Sequence, residues 1–153
     1  MANAARTMDA PFTGQFMFSV DGLVIGTFTE VSGLSVQVDV DEVREGGQNH
    51  YVHRLPGQMK WPNIVLKRGV TDSDSLFEWL SKTSGNGLAG QGNRLERKTG
   101  EIVLVDAARR PLRRWRFVGA FPVKWTGPRL AAGSSDLATE ELEFTHEGIS
   151  PTS

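Results

Sequence analysis

The chain has 153 residues, enough for one domain with a real core and short tails. Its 39% hydrophobic and 23% charged content fits a globular protein, and the absence of cysteine excludes disulfides, zinc–thiolate sites and thiol nucleophiles. A formal net charge of −1 lacks the basic excess of a protein built chiefly for nucleic acid.

Residues 1–14, MANAARTMDAPFTG, are small and polar and read as a flexible N-terminal tail. They hold no apolar run of the kind a secretory leader needs, and no later run approaches a membrane span. Synthesis and assembly in the cytoplasm are therefore expected. One domain over residues 15–149 follows, with a C-terminal tail at 150–153. Phe16, Phe18 and Val20 alternate with softer residues as in a strand. Asp21-Gly22 is the turn signal of a type I′ hairpin, and residues 23–30 form the return strand. After a turn at Ser32-Gly33, Val36, Val38 and Val40 share one strand face, opposite Gln37, Asp39 and Asp41. The alternation slips at residues 41–43, where a bulge is expected. Residues 36–40 read as wall of the domain.

The run over 36–57, VQVDVDEVREGGQNHYVHRLPG, is extended chain whose far half has little apolar material to anchor it. Fixing each backbone residue costs about 1–2 kcal/mol, so ordering such an arm makes sense if something outside the domain packs on it. A strand over 59–67 follows, begun by Trp61 and Pro62. Residues 73–82 are the one good helix, capped by Asp72, Ser73 and Asp74, with Leu76, Phe77 and Leu80 as its apolar stripe and Trp79 beside it. Residues 83–93 read as a glycine-rich loop. Strands are expected at 101–106, 112–119, 121–125 and 138–147. The sum is seven or eight strands and one helix. This is a mainly β fold, a small antiparallel barrel or sandwich with one flanking α-helix.

Few residues carry chemistry. Gly85-Asn86-Gly87-Leu88-Ala89-Gly90 matches G-x-G-x-x-G, but it follows a helix and precedes a strand, the reverse of a dinucleotide fingerprint. His50 and His53 lie three apart on extended chain, hence on opposite faces, which suits solvated arm residues better than metal ligands. His146 reads as a packed strand residue. The pairs Asp39/Asp41 and Glu141/Glu143 sit at strand spacing, as solvated faces commonly do, and Asp72/Asp74 fits helix capping. Arg109, Arg110, Arg113, Arg114 and Arg116 surround Trp115, but alternation splits them between two faces. Ion pairing within or between subunits, for which the acidic last strand offers partners, is favoured over nucleic-acid contact. No catalytic, cofactor-binding or metal-binding residue is assigned, and no cofactor is expected. Two other readings stand beside assembly: a monomeric β-barrel binding a ligand or nucleic acid through Trp115 and its arginines, and a hydrolase using paired carboxylates.

Eight segments in order, VDGL (20–23), FTEVSGL (28–34), REGGQN (44–49), LPG (55–57), LKRGVT (66–71) leading into FEWL (77–80), PVKWTGP (122–128) and EELEFTHEG (140–148), together resemble the tail-tube protein family of contractile phages and phage-tail-like contractile injection systems. That family is related to the haemolysin-coregulated tube protein of type VI secretion. The resemblance runs from about residue 16 to 148. It implies a non-enzymatic inner-tube protomer: a small β-barrel flanked by a helix, six copies to a ring, and rings stacked into a hollow tube inside a sheath that delivers cargo across a target envelope. The implied partners are further copies of the chain, a sheath protein, baseplate or spike and tube-terminating proteins, and a protein effector or DNA in the lumen. No stable membrane insertion is implied. The family's extended loop matches the arm, so Glu45, Gly46, Gly47, Gln48 and Asn49 are the expected inter-ring contacts. Gln37, Asp39 and Asp41 are the lumen candidates.

Overall fold

The computed structural model describes residues 14–47, 50–83, 85–129, 131–133 and 138–152; residues 1–13 of the expected N-terminal tail lie outside them. The chain begins with a hairpin of β1 (Gln15–Val20) and β2 (Leu23–Phe28), whose register pairs Val20 with Leu23. Asp21 and Gly22 both take positive φ, 51° and 80°, the turn geometry that the dipeptide signals. A short β3 (Glu30–Ser32) continues β2 past Thr29.

Eight strands then make one antiparallel sheet. Its path runs β2-β1-β7-β8-β9-β6-β3, and β10 also pairs with β8. The later members are β6 (Ile64–Gly69), β7 (Lys98–Val105), β8 (Pro111–Thr126), β9 (Thr139–Thr145) and β10 (Gly148–Thr152). The long β8 organises the path. Its first part pairs with β7 and β10, and its second part, from Phe121, pairs with β9. Between the two parts sits Gly119 at φ 64°, where an added Cβ would stand 2.4–2.8 Å from the Glu147 side chain. Glycine takes this left-handed φ at little cost, and just beyond it β8 passes from one layer's partners to the other's. The layers face each other: Phe144 of β9 meets Phe117 and Phe18, and Arg68 of β6 reaches Phe28 of β2.

The core lies between the layers. Phe18, Phe28, Phe117 and Phe144 are fully buried with Ile64, Leu66, Ile102 and Leu142. The Phe144 ring lies 5.0 Å from that of Phe117, 5.5 Å from Phe18 and 6.0 Å from Trp79. Burying each such ring stabilises the fold by roughly 1.5–3 kcal/mol, and the edge and offset contacts add to that. The ends of the path, β2 and β3, are consecutive in the chain, and the Thr29 N–H between them donates to the Lys67 carbonyl at 2.9 Å, but β2 and β6 share no ladder. The expected barrel is therefore not closed within the protomer; the sheet is folded over on itself.

Two helices flank the sheet, where the sequence reading expects one. α1 (Ser75–Ser81) buries Leu76 and Trp79, while Phe77 stays exposed against Trp125 at 5.5 Å. It starts two residues later than expected, and Asp74 at its N-cap makes no side-chain capping bond. α2 (Gly85–Gly90) replaces the expected glycine-rich loop. Each glycine costs a helix about 1 kcal/mol, so local propensity argued against it. Tertiary packing overrides that cost: a Cβ at Gly87 would lie 1.8 Å from the Ser81 carbonyl, and Gln91 Nε2 donates to the carbonyls of Lys82 (3.1 Å) and Gly87 (3.4 Å). The C-terminal end differs as well. Residues 150–152, read as tail, belong to β10, and Ser150 pairs with Arg116 and Thr152 with Arg114.

One polar cluster sits inside the apolar core. Arg68 is 3% exposed and Glu140 7%, and the Arg68 Nε donates to Glu140 Oε1 at 2.5 Å. Trp125 Nε1 donates to the other carboxylate oxygen at 3.3 Å, the guanidinium lies 5.2 Å from the Phe28 ring centre, and Arg68 Nη2 reaches the Ser73 carbonyl at 3.4 Å. The cluster ties β6, β9, β8 and β2 to the segment entering α1. A buried pair broken on one side leaves an uncompensated charge. Arg68→Met should therefore cost about 3–5 kcal/mol in urea unfolding. Adding Glu140→Gln, which removes the charge but keeps an acceptor for Trp125, should recover much of that loss. A double variant no more stable than Arg68→Met would mean that packing, not charge, sets the cost.

Candidate assembly surfaces

The remaining strands, β4 (Gln37–Val43) and β5 (His53–Lys60), pair only with each other. Residues 36–40, expected as wall of the domain, are thus the base of a separate antiparallel hairpin. The register shift also lies elsewhere than expected. Val38 faces Met59 and Val40 faces Pro56, which puts the extra residue in β5 at Gly57-Gln58 rather than at residues 41–43. The strand expected over 59–67 is split by Trp61, Pro62 and Asn63.

Register and alternation give the hairpin two distinct faces. Val38 and Val40 stand beside Met59 and Pro56 on one face, and Val38, Val40 and Met59 are 42%, 58% and 54% exposed. Gln37, Asp39 and Asp41 lie on the other, with Lys60 and Leu55 as cross-strand neighbours. Ion pairs substitute for a core. Lys60 Nζ meets Asp39 at 2.7 Å, Arg54 meets Glu42 at 3.8 Å, and His53 meets Glu45 at 3.5 Å. Solvent-exposed pairs of this kind each contribute little to stability. They hold register, but they do not cover the valines.

At the tip, Glu45 and the turn at Gly46-Gly47 are exposed, while Gln48 and Asn49 lie outside the described residues. Tyr51 packs edge-on to His53 with ring centres 5.2 Å apart. His50 and His53 therefore sit at the tip, far in sequence and fold from His146. His146 is buried, its Nδ1 accepting from the Gly148 N–H at 3.2 Å and its Nε2 lying 3.2 Å from the Pro62 carbonyl. That arrangement fits the Nε2–H tautomer. Among the described residues, no group of three or more His, Asp or Glu side chains could hold a metal ion. Of the carboxylate pairs, Asp39/Asp41 lies on the open hairpin with Asp39 engaged by Lys60, and Glu141 of the last pair is engaged by Lys67 at 3.6 Å.

Ion pairing of the arginines is seen within the protomer, with Asp106 and Glu101 rather than with β9. Arg110 binds Asp106 at 2.9 Å, Arg114 approaches Glu101 at 4.0 Å, and Arg113 lies over the Trp115 ring at 5.8 Å. Two features escaped the sequence reading. One is the exposed pair Leu23 and Val24 beyond the first turn, 71% and 61% exposed. The other is the buried Arg68–Glu140 pair. Strand parity did carry a signal for it, because Arg68 alternates with Ile64 and Leu66, and Glu140 with Leu142 and Phe144.

Comparison with known proteins gives one consistent result. The family model for the T4-like virus tail tube protein gp19 matches residues 13–150. A chain of the sheath–tube complex of an extracellular contractile injection system (PVC) in its extended state is similar at 28% identity and TM-score 0.78, covering 99% of this chain and 98% of that one. A chain in the tube-terminating cap of the anti-feeding prophage (AFP) is similar at 27% identity and TM-score 0.76, covering 99% of each. Hcp1 from Flavobacterium johnsoniae shares the fold at 21% identity and TM-score 0.50, covering 90% of this chain and 94% of that one. No curated protein sequence matches.

His146 supplies a pH prediction. Burial lowers its pKa below the ordinary imidazole value, so below that value the unfolded chain takes up a proton that the folded chain refuses. Its stabilising contribution is complete above the ordinary pKa and is lost as pH falls towards the folded one. The thermal midpoint should drop on acidification from pH 7 through this window, and the drop should shrink in His146→Gln. An unchanged drop would assign the effect to other groups.

Proposed function

We infer the function from one premise: the chain belongs to the T4-like virus tail tube protein family. It is a structural protomer of the inner tube of a contractile injection system, the class of particle in which its similar structures were determined. The observation that carries this reading is the β4–β5 hairpin, which has an exposed apolar face and no further strand partner among the described residues. Covering one half-exposed valine or methionine is worth about 1 kcal/mol, and a face of four such residues repeated around an assembly is a strong reason to assemble.

In this reading six copies close into a ring and rings stack into a hollow tube. Open strand edges on each protomer are paired or covered by its neighbours, which removes a standing aggregation hazard. The apolar face of Val38, Val40, Pro56 and Met59 packs on protein. The opposite face, with Gln37, Asp39 and Asp41, turns to the lumen. Lys60 offsets Asp39, whereas Asp41 has no ion-pair partner among the described residues, so each ring carries a band of carboxylates. Such a band repels nucleic-acid phosphates and lets an anionic cargo slide rather than stick. The tip residues Glu45, Gly46, Gly47, Gln48 and Asn49 reach the next ring. Sheath, baseplate and tube-terminating proteins are the outer partners, and the lumen holds a protein effector or DNA. The role is mechanical and asks for no catalytic group.

Negative-stain microscopy of the purified protein should show six-fold rings or tubes, and a protein monomeric across a wide concentration range would oppose the reading. Val38→Asp with Val40→Asp should leave protomer stability within about 0.5 kcal/mol, because both sites are exposed, yet abolish rings and tubes. Gly46→Pro with Gly47→Pro should shorten tubes while sparing single rings; tubes of unchanged length would show that the tip does not stack.

A further inference from the structure

The arginine cluster is left unexplained by the tube reading, and its place in the sheet gives it a use. The first layer of the fold, in order β2-β1-β7-β8-β10, has β2 at one edge and β10 at the other. At the usual strand spacing of about 4.8 Å these edges stand roughly 19 Å apart. They carry opposite charge.

The β10 edge is basic. Arg109, Arg110, Arg113 and Arg114 stand on the turn and first residues of β8, where Thr152 pairs with Arg114. An open groove of about 660 Å³ is lined by Pro111, Leu112, Arg113, Arg114, Pro151 and Thr152. Arg109 and Arg113 have no carboxylate partner among the described residues, and the Arg114–Glu101 contact is long, at 4.0 Å. The Thr152 hydroxyl, buried in the groove wall, has no hydrogen-bond partner among the described residues. Leu112 is 53% exposed there.

The β2 edge is acidic. α1 begins beside it, since the Ser75 hydroxyl donates to the Ile25 carbonyl at 3.2 Å. Asp72, Asp74 and Glu78 are exposed on this segment and have no ion-pair partner among the described residues. Asp74 does not spend its carboxylate on capping. Phe77, 53% exposed, supplies an apolar side chain next to them.

Resting on the tube reading, we propose that neighbouring protomers meet head-to-tail through these two edges: the groove of Arg113 and Arg114 receives the Asp72–Asp74–Glu78 segment of a second copy of this chain. A heterologous contact needs two different, complementary faces on one protomer, and rings arise when its rotation closes. The charge match sets partner orientation and disfavours like edges meeting, which a flat apolar face such as that of the hairpin does not do.

Paired charge reversal tests this. One variant carries Arg113→Glu and Arg114→Glu, so that both its edges are acidic; the other carries Asp72→Lys and Asp74→Lys, so that both are basic. Circular dichroism and thermal melts establish that each is folded, and assembly is read by sedimentation and microscopy at low salt. Each variant alone should lose at least tenfold in sedimenting tubes, and an equimolar mixture should recover them by alternating around the ring. Assembly of either variant alone at the wild-type level, or folded variants that do not rescue each other, would overturn the contact while wild-type tubes keep the tube reading intact. Wild-type protein that remains monomeric would overturn the tube reading and this contact together.

Discussion

The packing of Phe144 against Phe117, Phe18 and Trp79 is the contact on which the rest of the protomer depends. These side chains come from β9, β8, β1 and α1, which are distant in sequence and belong to both layers of the sheet. They can meet because β8 belongs to both layers, pairing with β7 and β10 through its first part and with β9 from Phe121. Everything within reach of that cluster is ordered by the protomer itself. The β4–β5 hairpin is not within reach, and its apolar side chains stay in solvent.

That division separates two ways of handling charge. Inside, Arg68 and Glu140 satisfy each other, and Trp125, Ser73 and Phe28 complete their surroundings, so the polar groups cost little and fix how α1 enters the fold. On the hairpin, acids and bases face each other across the strands in full solvent, where attraction is weak and salt screens it. The internal pair belongs to folding. The external pairs keep an arm in register until something covers it.

A tube protomer needs this combination. A core closed on itself lets each chain fold before assembly, while unpaired edges and an uncovered apolar arm leave most interaction surface for copies of the same chain.

Much of this was legible in the sequence. Alternation placed Phe18, Phe117, Leu142 and Phe144 on inward faces, Asp21-Gly22 announced its turn, and the polar run after Val40 announced an arm. Each depends on neighbours within a few residues, where period and turn chemistry act. Pairing between distant segments was not legible. Composition made residues 83–93 a loop, yet packing on Ser81 makes part of it α2. Residues 36–40 alternate like a buried strand, yet no strand of the main sheet lies beside them. The arginines have acidic residues at matching spacing on the last strand, yet pair with Asp106 and Glu101. By itself the sequence determined strand faces, the first turn and the family. Only the tertiary structure decided which faces find partners, because burial, edge pairing and ion pairing depend on what distant segments bring to the same place.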